Sequence, residues 1–415
     1  MEIISKTRLL AAASLMLAAA PFASAQGLAG RWDASLTVNG TVIPFRLDVA
    51  GSGSELRGTL YNGDDVETTT GASVANGTVT LRWDHYLTTI IAVEKGNELV
   101  GRVEMRGDKE ASGNPFKAVR HVDRSVSAQN VPDIDGVWEI PHESPKGEKA
   151  WRFIVKQKGA EASATILRVD GDTGALTGVY QDGRFVLSHF DGSRPARMEV
   201  KLAADGTLEI NQNGSNRDGK LVAYRPAVAR AKGLPQPSNY ATHTTVRDPN
   251  ERFTFQFPDV NGKVLSNEDP KFNGKVVVAI VTGTWCPNCH DEAQYLVQLD
   301  KKYRSQGLEI VALDFEEPEQ QDDLARVKAF TEKYGVEYTY LIAGAPAEMW
   351  EKVPQLVNLN TWPATVFVGR DGLVKGVHAG FAAPASGEFN DQLKSEFTAT
   401  IERLLSERVA TSQQQ

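Results

Sequence analysis

Short apolar–polar alternation, interrupted by turn-forming residues, is the feature that most constrains how the first half of the chain can fold. Between Gly27 and Arg225, stretches such as GTVIPFRLDVAG, GTVTLRWD and ELVGRVEMRG alternate with a period of two and are separated by Gly, Asn and Asp. This pattern is typical of half-buried strands joined by tight turns. Helical spacing is scarcely visible in this region. The sequence therefore predicts an all-β N-terminal region.

The alternating region also matches itself at an offset of about 105 residues, as a repeated structural unit does. The stretch LAGRWDASL around Trp32 matches IDGVWEIPH around Trp138, and FKAVR late in the first copy matches LVAYR late in the second. Each copy has room for a small barrel or sandwich of about seven or eight strands. We predict two β units, at residues 27–125 and 131–227. One large sandwich built from both copies is the alternative.

Some aromatic and titratable side chains stand at similar places in the two copies: Trp83 and His85 in the first, His189 and Asp191 in the second. Such residues at strand ends most often serve packing or turns. No nucleophile–base or metal-ligand spacing accompanies them. We expect them to be structural, and we expect the β units to act as binding modules or spacers.

The first residues, 1–25, have the features of an export signal. Lys6 and Arg8 precede the apolar run LLAAASLMLAAA, which is too short to span a bilayer comfortably. Ala23 and Ala25 are small residues at the positions that a signal peptidase reads. We therefore predict cleavage after Ala25 and a periplasmic or secreted protein that is soluble and not inserted in a membrane. An uncleaved N-terminal anchor is the alternative.

Charge and composition argue against several classes of function. The chain has 415 residues and a formal net charge of −8, so there is no electrostatic reason to expect binding to nucleic acid or anionic membranes. Two cysteines and seven histidines do not favour a multi-ligand metal site. We therefore expect no metal, no bound cofactor and no nucleic-acid partner.

The alternation lapses in RPAVARAKGLPQPSNYATH, where Pro235 and Pro237 resist both helix and strand. We predict a linker at residues 228–250. After it, apolar runs alternate with amphipathic helical stretches, and a hairpin and a last helix follow. This order predicts an α/β domain with mixed strand directions at residues 251–409.

Both cysteines stand in TGTWCPNCHDE, between the buried-strand pattern KVVVAIVTGTW and a helical pattern. Cys286 would lie at the exposed start of the turn, at the helix N-terminus, where free N–H groups and the dipole favour a thiolate. Cys289, one turn further on, could resolve a mixed disulfide, and Pro287 restricts the loop between them. A bridge across so short a loop adds little stability. We predict a redox-active disulfide, Cys286–Cys289.

At these residues the C-terminal region resembles the thioredoxin fold and, within it, the exported TlpA/ResA-like thiol–disulfide oxidoreductases. The resemblance covers roughly residues 252–405. Its most specific parts are Trp285 with the two cysteines, and TWPATVFVGRDG about 75 residues later. It implies that Pro363 follows a cis peptide bond and lies against the redox pair, and that the backbone of Trp362 pairs with a bound substrate segment.

The resemblance further implies a reductase that acts on protein thiols or disulfides and is kept reduced by a membrane-bound electron donor. Two groups of site residues follow from it and from the motif. The expected catalytic residues are Cys286, Cys289 and Glu292. The expected substrate-binding residues are Trp285, Pro287, Trp362 and Pro363.

Three positions depart from the thioredoxin or TlpA-like patterns. Ile280 stands where thioredoxin has a buried Asp, whereas the TlpA-like group has a Glu three residues after the second cysteine, and Glu292 stands there. Glu292 could take the proton of Cys289, and an exposed helix carboxylate is the alternative. Gln294 replaces a proline of many relatives. Trp362 is bulkier than the usual Thr or Val, which would narrow the substrate groove.

Other functions fit parts of the motif. Cys-x-x-Cys-His also attaches c-type haem, with His290 as axial ligand, but the strand before it and the later Trp-Pro disfavour this. We expect His290 to be an exposed polar side chain. A peroxiredoxin needs Thr or Ser three residues before its cysteine, where Gly283 stands. A thiol peroxidase, and a binding protein that acts through its β units with a degenerate redox domain, are the alternative functions.

Overall fold

The structure is a computed structural model that describes residues 27–107, 113–123, 129–213 and 220–407. The predicted signal sequence, residues 1–25, lies outside these ranges. Within them, no helix combines the length and the apolar character needed to cross a bilayer. The described chain forms two nine-stranded antiparallel sheets, then a five-stranded mixed sheet, with two small two-stranded ladders.

The first sheet is a meander of nine strands. They are β1 (Gly30–Val38), β2 (Thr41–Ala50), β3 (Arg57–Asn62), β4 (Asp65–Thr68), β5 (Gly71–Ala75), β6 (Thr78–Trp83), β7 (Thr88–Lys95), β8 (Glu98–Glu104) and β9 (Asn114–Arg120). Their order is β4-β3-β2-β1-β9-β8-β7-β6-β5, so the first strand pairs with the last. The apolar members of the alternation, such as Trp32, Leu47 and Trp83, are fully buried in one core.

The second sheet has the same kind of meander. Its strands are β10 (Gly136–Pro141), β11 (Ala150–Lys158), β12 (Glu161–Arg168), β13 (Gly171–Asp172), β14 (Leu176–Gln181), β15 (Arg184–His189), β16 (Ala196–Leu202), β17 (Leu208–Gln212) and β18 (Lys220–Ala223). The backbones of Glu139 and Tyr224 exchange hydrogen bonds of 2.8 and 2.9 Å, which closes the sheet between its first and last strands. The two-residue strand β13 has no alternation from which the sequence could predict it.

Both sheets contain the same tryptophan–arginine arrangement. The indole N–H of Trp32 donates to the carbonyl oxygen of Leu28 at 3.0 Å, and the Arg120 guanidinium lies 3.8 Å from a ring centroid of that tryptophan. Trp138 donates likewise, at 2.9 Å, and the Arg225 guanidinium lies 3.8 Å over its ring. The residues that match in sequence thus make matching contacts. The repeat itself and its boundaries stay predictions.

The two sheets have separate cores but pack against each other. Asn62 exchanges two hydrogen bonds of 3.0 Å with the backbone of Phe190, whose ring joins the first core. The hydroxyl of Thr88 donates to the carbonyl oxygen of Gly192 at 2.5 Å. The single sandwich considered as an alternative does not describe this arrangement.

The predicted linker contains short helices. Helix α1 (Pro226–Ala231) follows the second sheet, and helix α2 (Tyr240–His243) packs near the C-terminal sheet. A two-residue strand, β19 (Thr245–Val246), follows α2. The residues between the two helices contain Pro235 and Pro237 and form neither helix nor strand, as predicted. The boundaries given to the linker stay a prediction.

The C-terminal part is a five-stranded mixed sheet with helices on it. Two short ladders accompany it, β20 (Gln256–Pro258) with β21 (Val264–Ser266), and β19 with β25 (Leu356–Val357). The strands of the five-stranded sheet are β22 (Val276–Thr282), β23 (Leu308–Phe315), β24 (Thr339–Gly344), β26 (Ala364–Val368) and β27 (Val374–Ala379). Its helices are α3 (Pro287–Tyr303), α4 (Ala325–Tyr334), α5 (Met349–Lys352) and α6 (Glu388–Ser406). The order is β24-β23-β22-β26-β27, with β22, β23 and β24 parallel and β26 and β27 antiparallel. This is the thioredoxin fold, so the predicted α/β domain is confirmed.

The central strand β22 is apolar throughout because both faces of the sheet are covered. Val278 and Ile280 pack into the core that contains α3, α4 and α6. Val277 and Val281 point to the opposite face and pack in a second core with Phe255. The strand therefore delivers the residues that follow it to a fixed position at the end of the sheet.

Candidate redox active site

Cys286 and Cys289 lie where strand β22 gives way to helix α3. Cys286 caps the helix, Pro287 is its first residue, and the N–H of Cys286 donates to the carbonyl oxygen of Gly283 at 3.0 Å. The N–H of Cys289 donates to the carbonyl oxygen of Cys286, also at 3.0 Å. Both cysteines are free thiols, with 4% and 2% of their surfaces exposed. The predicted position at a helix N-terminus is confirmed, whereas the predicted exposure of Cys286 is wrong, because the packed domain covers the turn.

The two thiols have different surroundings. Burial raises the pKa of Cys289 well above its usual value, the adjacent Cys286 raises it further, and a contact with Thr282 opposes the rise. The Cys289 thiol therefore keeps its proton near neutral pH and needs a base before it can attack. Cys286 lies at the positive end of the α3 dipole, and its thiol donates to the carbonyl oxygen of Trp362 at 3.5 Å. The geometry suits an attacking first cysteine and a buried second one.

The peptide bond between Trp362 and Pro363 is cis, as the resemblance implies. It precedes strand β26, and the carbonyl oxygen of Pro363 accepts a hydrogen bond of 2.8 Å from the N–H of Gly380. The contact between the Cys286 thiol and the Trp362 carbonyl places this loop directly against the redox pair.

Trp285 and Trp362 form an aromatic wall beside the cysteines. Their rings meet edge to face with centroids 5.1 Å apart, and Trp362 also lies 5.8 Å from Phe315. The indole N–H of Trp285 donates to the carbonyl oxygen of Phe315 at 2.9 Å, which fixes that ring. These contacts hold Trp362 against the redox turn, and the narrowing of a substrate groove stays a prediction.

Glu292 is buried one helical turn beyond Cys289. Its side chain lies inside the domain, 1% exposed, and accepts a hydrogen bond of 2.5 Å from the hydroxyl of Thr365. Burial raises the pKa of Glu292 to about 8, and the bond from Thr365 opposes this. The alternative of an exposed helix carboxylate is therefore wrong. A carboxyl group with such a pKa can exchange a proton near neutral pH, which an ordinary glutamate cannot do.

His290 was predicted to be an exposed polar side chain, and this prediction is wrong. The ring is fully buried. Its Nε2 lies 2.7 Å from the carbonyl oxygen of Thr284 and therefore carries the proton, while its Nδ1 accepts from the hydroxyl of Tyr334 at 3.0 Å. Burial lowers the pKa of His290 well below its usual value, so the ring is neutral. Both ring nitrogens are engaged, which also argues against an axial haem ligand at this position.

A buried ion pair, which the sequence analysis missed, supports the turn before Trp285. Glu316 accepts hydrogen bonds from the N–H and the hydroxyl of Thr284, at 2.8 and 2.5 Å. Arg326 donates to that hydroxyl at 2.9 Å and to Glu316 at 2.7 Å, and all three residues are fully buried. Helix α4 and the end of strand β23 thus fix the backbone that leads into the redox motif.

The titratable residues noted in the two β units lie close to the redox domain or to its contacts. Trp83 is buried in the first core. His85 is fully buried, and its ring centroid lies 5.8 Å from that of His290, the residue after Cys289. Asp191 lies 3.2 Å from Nε2 of His189 and pairs with Arg194, which contacts the redox turn.

Within the ranges that the structure describes, no group of three or more His, Cys, Asp or Glu residues could hold a metal ion.

Known proteins match the C-terminal half of the chain. Residues 249–377 match the AhpC/TSA family. The thiol-disulfide oxidoreductase ResA of Bacillus anthracis is 32% identical over 120 residues, which are 29% of this chain and 62% of that protein. ResA of Halalkalibacterium halodurans is 26% identical over 162 residues, which are 39% of this chain and 81% of that protein. This chain spans less than two thirds of the length of the Bacillus relatives that it matches.

A solved thioredoxin-family thiol:disulfide interchange protein from Chlorobium tepidum is 22% identical, with a TM-score of 0.30; it covers 39% of this chain and the whole of its own. The sequence matches and the fold described above define the class. The C-terminal domain has the thioredoxin fold, and its sequence is similar to the AhpC/TSA family and to the ResA thiol-disulfide oxidoreductases. The two β units precede the segment that matches the family.

Proposed function

We propose that the protein is an exported thiol–disulfide oxidoreductase that works through Cys286 and Cys289 and reduces disulfides in proteins. One observation carries the proposal, namely the asymmetry of the thiol pair. Cys286 lies at the start of α3 beside the cis peptide before Pro363, whereas Cys289 lies behind it with a raised pKa. The similarity of the C-terminal domain to ResA supports the same activity.

In the first step, the thiolate of Cys286 attacks one sulfur of a substrate disulfide. A bond forms between Sγ of Cys286 and that sulfur, the substrate S–S bond breaks, and the second substrate sulfur leaves and takes a proton. The carbonyl oxygen of Trp362, now 3.5 Å from Sγ of Cys286, lies where a substrate backbone would pair. Trp285, Pro287 and Pro363 form the adjoining surface.

In the second step, Cys289 resolves the mixed disulfide. Glu292, as a carboxylate, takes the thiol proton, and Sγ of Cys289 attacks Sγ of Cys286. The Cys286–Cys289 bond forms, the bond between Sγ of Cys286 and the first substrate sulfur breaks, and that first sulfur is released as a thiol. Glu292 lies three residues after Cys289 and thus on the same side of α3. The substrate gains two electrons and two protons, and the protein is left as a disulfide.

Another round needs an external dithiol to reduce the Cys286–Cys289 bond. A membrane-bound electron donor of this chemistry fits an exported protein. The signal-like residues 1–25 support export. In this proposal the reductive direction follows from the donor, because the motif alone does not set the direction of exchange.

The test is turnover of disulfides by the purified full chain. We expect reduction of both insulin and a small aromatic disulfide when a dithiol donor is present. Cys286→Ser should abolish turnover, whereas Cys289→Ser should still attack and accumulate a mixed disulfide, detected by mass spectrometry. This difference would assign the attacking and resolving roles.

Three results would contradict the proposal. Turnover by Cys286→Ser equal to that of the wild type would remove the assigned nucleophile. Peroxide consumption faster than disulfide reduction would identify a thiol peroxidase. No turnover of any disulfide, with a redox pair that does not cycle, would indicate a binding protein with a degenerate redox domain.

A further inference from the structure

The N-terminal β units contact the redox turn through three separate segments. Arg106, which follows β8, donates to the carbonyl oxygen of Trp285 at 3.3 Å. The amide of Asn288 donates to the carbonyl oxygen of Asp170 at 2.8 Å and accepts from Nη1 of Arg194 at 3.3 Å. These contacts surround Cys286 in sequence, since one falls on the residue before it and two on the second residue after it.

Arg194 is the most firmly held of the contacting residues. It has a left-handed backbone, with φ of 44°, and its guanidinium grips Asp191 through Nε at 3.2 Å and Nη2 at 2.8 Å. Asp191 is itself fixed by the N–H and hydroxyl of Ser193, at 2.7 and 2.9 Å. The remaining nitrogen, Nη1, faces the redox turn, where it meets Asn288 and lies 3.6 Å from Asp291. The fork geometry of arginine allows both partners at once.

The charge of Arg194 lowers the pKa values of the carboxyl groups around it. Burial alone would raise the pKa of Asp191, but Arg194 and His189 outweigh it and hold that pKa well below its usual range. Burial raises the pKa of Asp291 to about 7 even though Arg194 opposes the rise. The carboxylates of Asp172, Asp65 and Asp191 also face Asp291 and add to its rise. Arg194 is thus the cation of an acidic, buried cluster at the first turn of α3.

Arg194 also lines the clefts on both sides of the redox turn. Two clefts, of about 310 and 380 Å³, flank Pro287, and Arg194 and Pro195 line both. The second β unit forms the other walls of the first cleft, including Arg197. The first β unit contributes Arg106 to the second cleft. The Arg194 side chain is 19% exposed and therefore acts from a largely desolvated position, where a charge is screened weakly.

We propose that Arg194 is a positioning residue of the redox site: it fastens the second β unit to the Cys-Pro-Asn-Cys turn and stabilises the reduced state of the pair. The disulfide is uncharged, whereas the reduced pair carries a negative charge at the start of α3 whenever Cys286 is the thiolate that attacks. A fixed cation beside this turn favours that thiolate and so favours reduction. The β units are then part of the active site and not spacers. This inference rests on the proposed function only in requiring that the pair cycles.

The test measures the dithiol–disulfide equilibrium of the full chain in glutathione redox buffers, in which two glutathione thiols become one disulfide for each pair reduced. Alkylation followed by a gel shift gives the reduced fraction. We expect Arg194→Ala to shift the equilibrium about tenfold toward the disulfide, which is about 30 mV for two electrons. Alkylation of Cys286 by iodoacetamide should also need a higher pH. Arg197→Ala is the matched control, because Arg197 lines the same cleft but donates to Glu199 of its own strand.

The inference would be overturned if the dithiol–disulfide equilibrium of Arg194→Ala equalled that of the wild type. It would also be overturned if Arg197→Ala shifted this equilibrium as much as Arg194→Ala does. If Arg194→Ala fails to fold, Arg194→Lys replaces it, because lysine keeps the charge but cannot grip Asp191 and Asn288 together. We expect an intermediate shift from this variant, and wild-type values would again overturn the inference. A pair that cycles with an unchanged equilibrium refutes this inference alone, whereas a pair that does not cycle in the wild type refutes the proposed function.

Discussion

The thiol of Cys286 donates to the main-chain carbonyl oxygen of Trp362, with 3.5 Å between Sγ and O. This contact joins the start of α3 to the loop before β26, which carries the cis peptide to Pro363. A substrate segment that pairs with the same carbonyl would lie directly against the attacking sulfur. We therefore expect this loop to limit which disulfides can reach Cys286.

Trp362 is expected to limit the size of the substrate. Its ring meets Trp285 edge to face, so Trp362→Thr removes one wall of the groove. We expect kcat/KM for insulin to rise about threefold or more, and kcat/KM for a small aromatic disulfide to change less, because a pocket discriminates mainly by shape. Trp350→Thr is the control, since Trp350 is 55% exposed on α5. Equal changes for both substrates would argue against a steric role.

Glu292 is expected to act as the base for the resolving step. Its pKa is about 8, so the carboxylate fraction and the resolving rate should both rise as the pH rises through 8. Glu292→Gln should slow resolution by about a hundredfold and remove this rise. The release of the second aromatic thiolate in stopped flow measures the step. Glu396→Gln, at an exposed position of α6, should match the wild type. A pH dependence that survives Glu292→Gln would assign the base elsewhere.

The same burial makes Glu292 a source of pH-dependent instability. Because the folded pKa of about 8 lies above the ordinary 4.5, the folded state keeps a proton that the unfolded state loses between these values. The contribution of Glu292 to the free energy of unfolding is therefore complete below about pH 4.5, and it is lost as the pH rises toward 8. Gln cannot ionise, so Glu292→Gln should have a Tm at pH 9 about 5 °C or more above that of the wild type. The difference should shrink at pH 5. A lower Tm at pH 9 would mean that the carboxylate is well solvated.

The buried pair of Glu316 and Arg326 is expected to be costly to break from one side. Arg326→Met leaves the Glu316 carboxylate without its partner in a fully buried position, and we expect a loss of about 3–5 kcal/mol of unfolding free energy. The double variant Glu316→Leu with Arg326→Met should recover part of this loss, because the unpaired buried carboxylate is removed while the N–H and hydroxyl of Thr284 lose their acceptor. Urea unfolding of both variants measures the cycle. If the double variant were as unstable as the single one, the lost unfolding free energy would come from the packing of the Arg326 side chain and not from an unpaired charge.

Local patterns in the sequence predicted the parts of the fold that depend on local rules. The apolar run that became β22 and the cap at Cys286 lie where the periodicity and the helix start signals place them. The predicted hairpin is formed by β26 and β27, with Asp371 and Gly372 in the turn between them. Strand and helix periodicity are properties of neighbouring residues, so a single sequence contains them.

Predictions from the sequence were wrong or undecided for the burial of polar side chains. His290 is polar and stands in the first turn of a helix, and it was therefore predicted to be exposed. It is fully buried because Tyr334 and Phe330 of α4, and Tyr86 of the first β unit, cover it. Glu292 was left between two interpretations, and packing against β26 decided it. Whether a polar side chain meets water depends on elements far away in the chain.

The sequence alone determined which residues are the candidates for redox chemistry, since Cys286, Cys289 and the Trp-Pro before β26 can be identified from their types and spacing. Only the tertiary structure decided what surrounds that chemistry. Arg194 lies about a hundred residues from the cysteines in the chain and carries no local signal, yet its guanidinium meets the residue between them. The physical reason is that the effect of a charge depends on its distance from other groups in space and on how far it is removed from water. The packing of the β units against the redox domain sets both quantities.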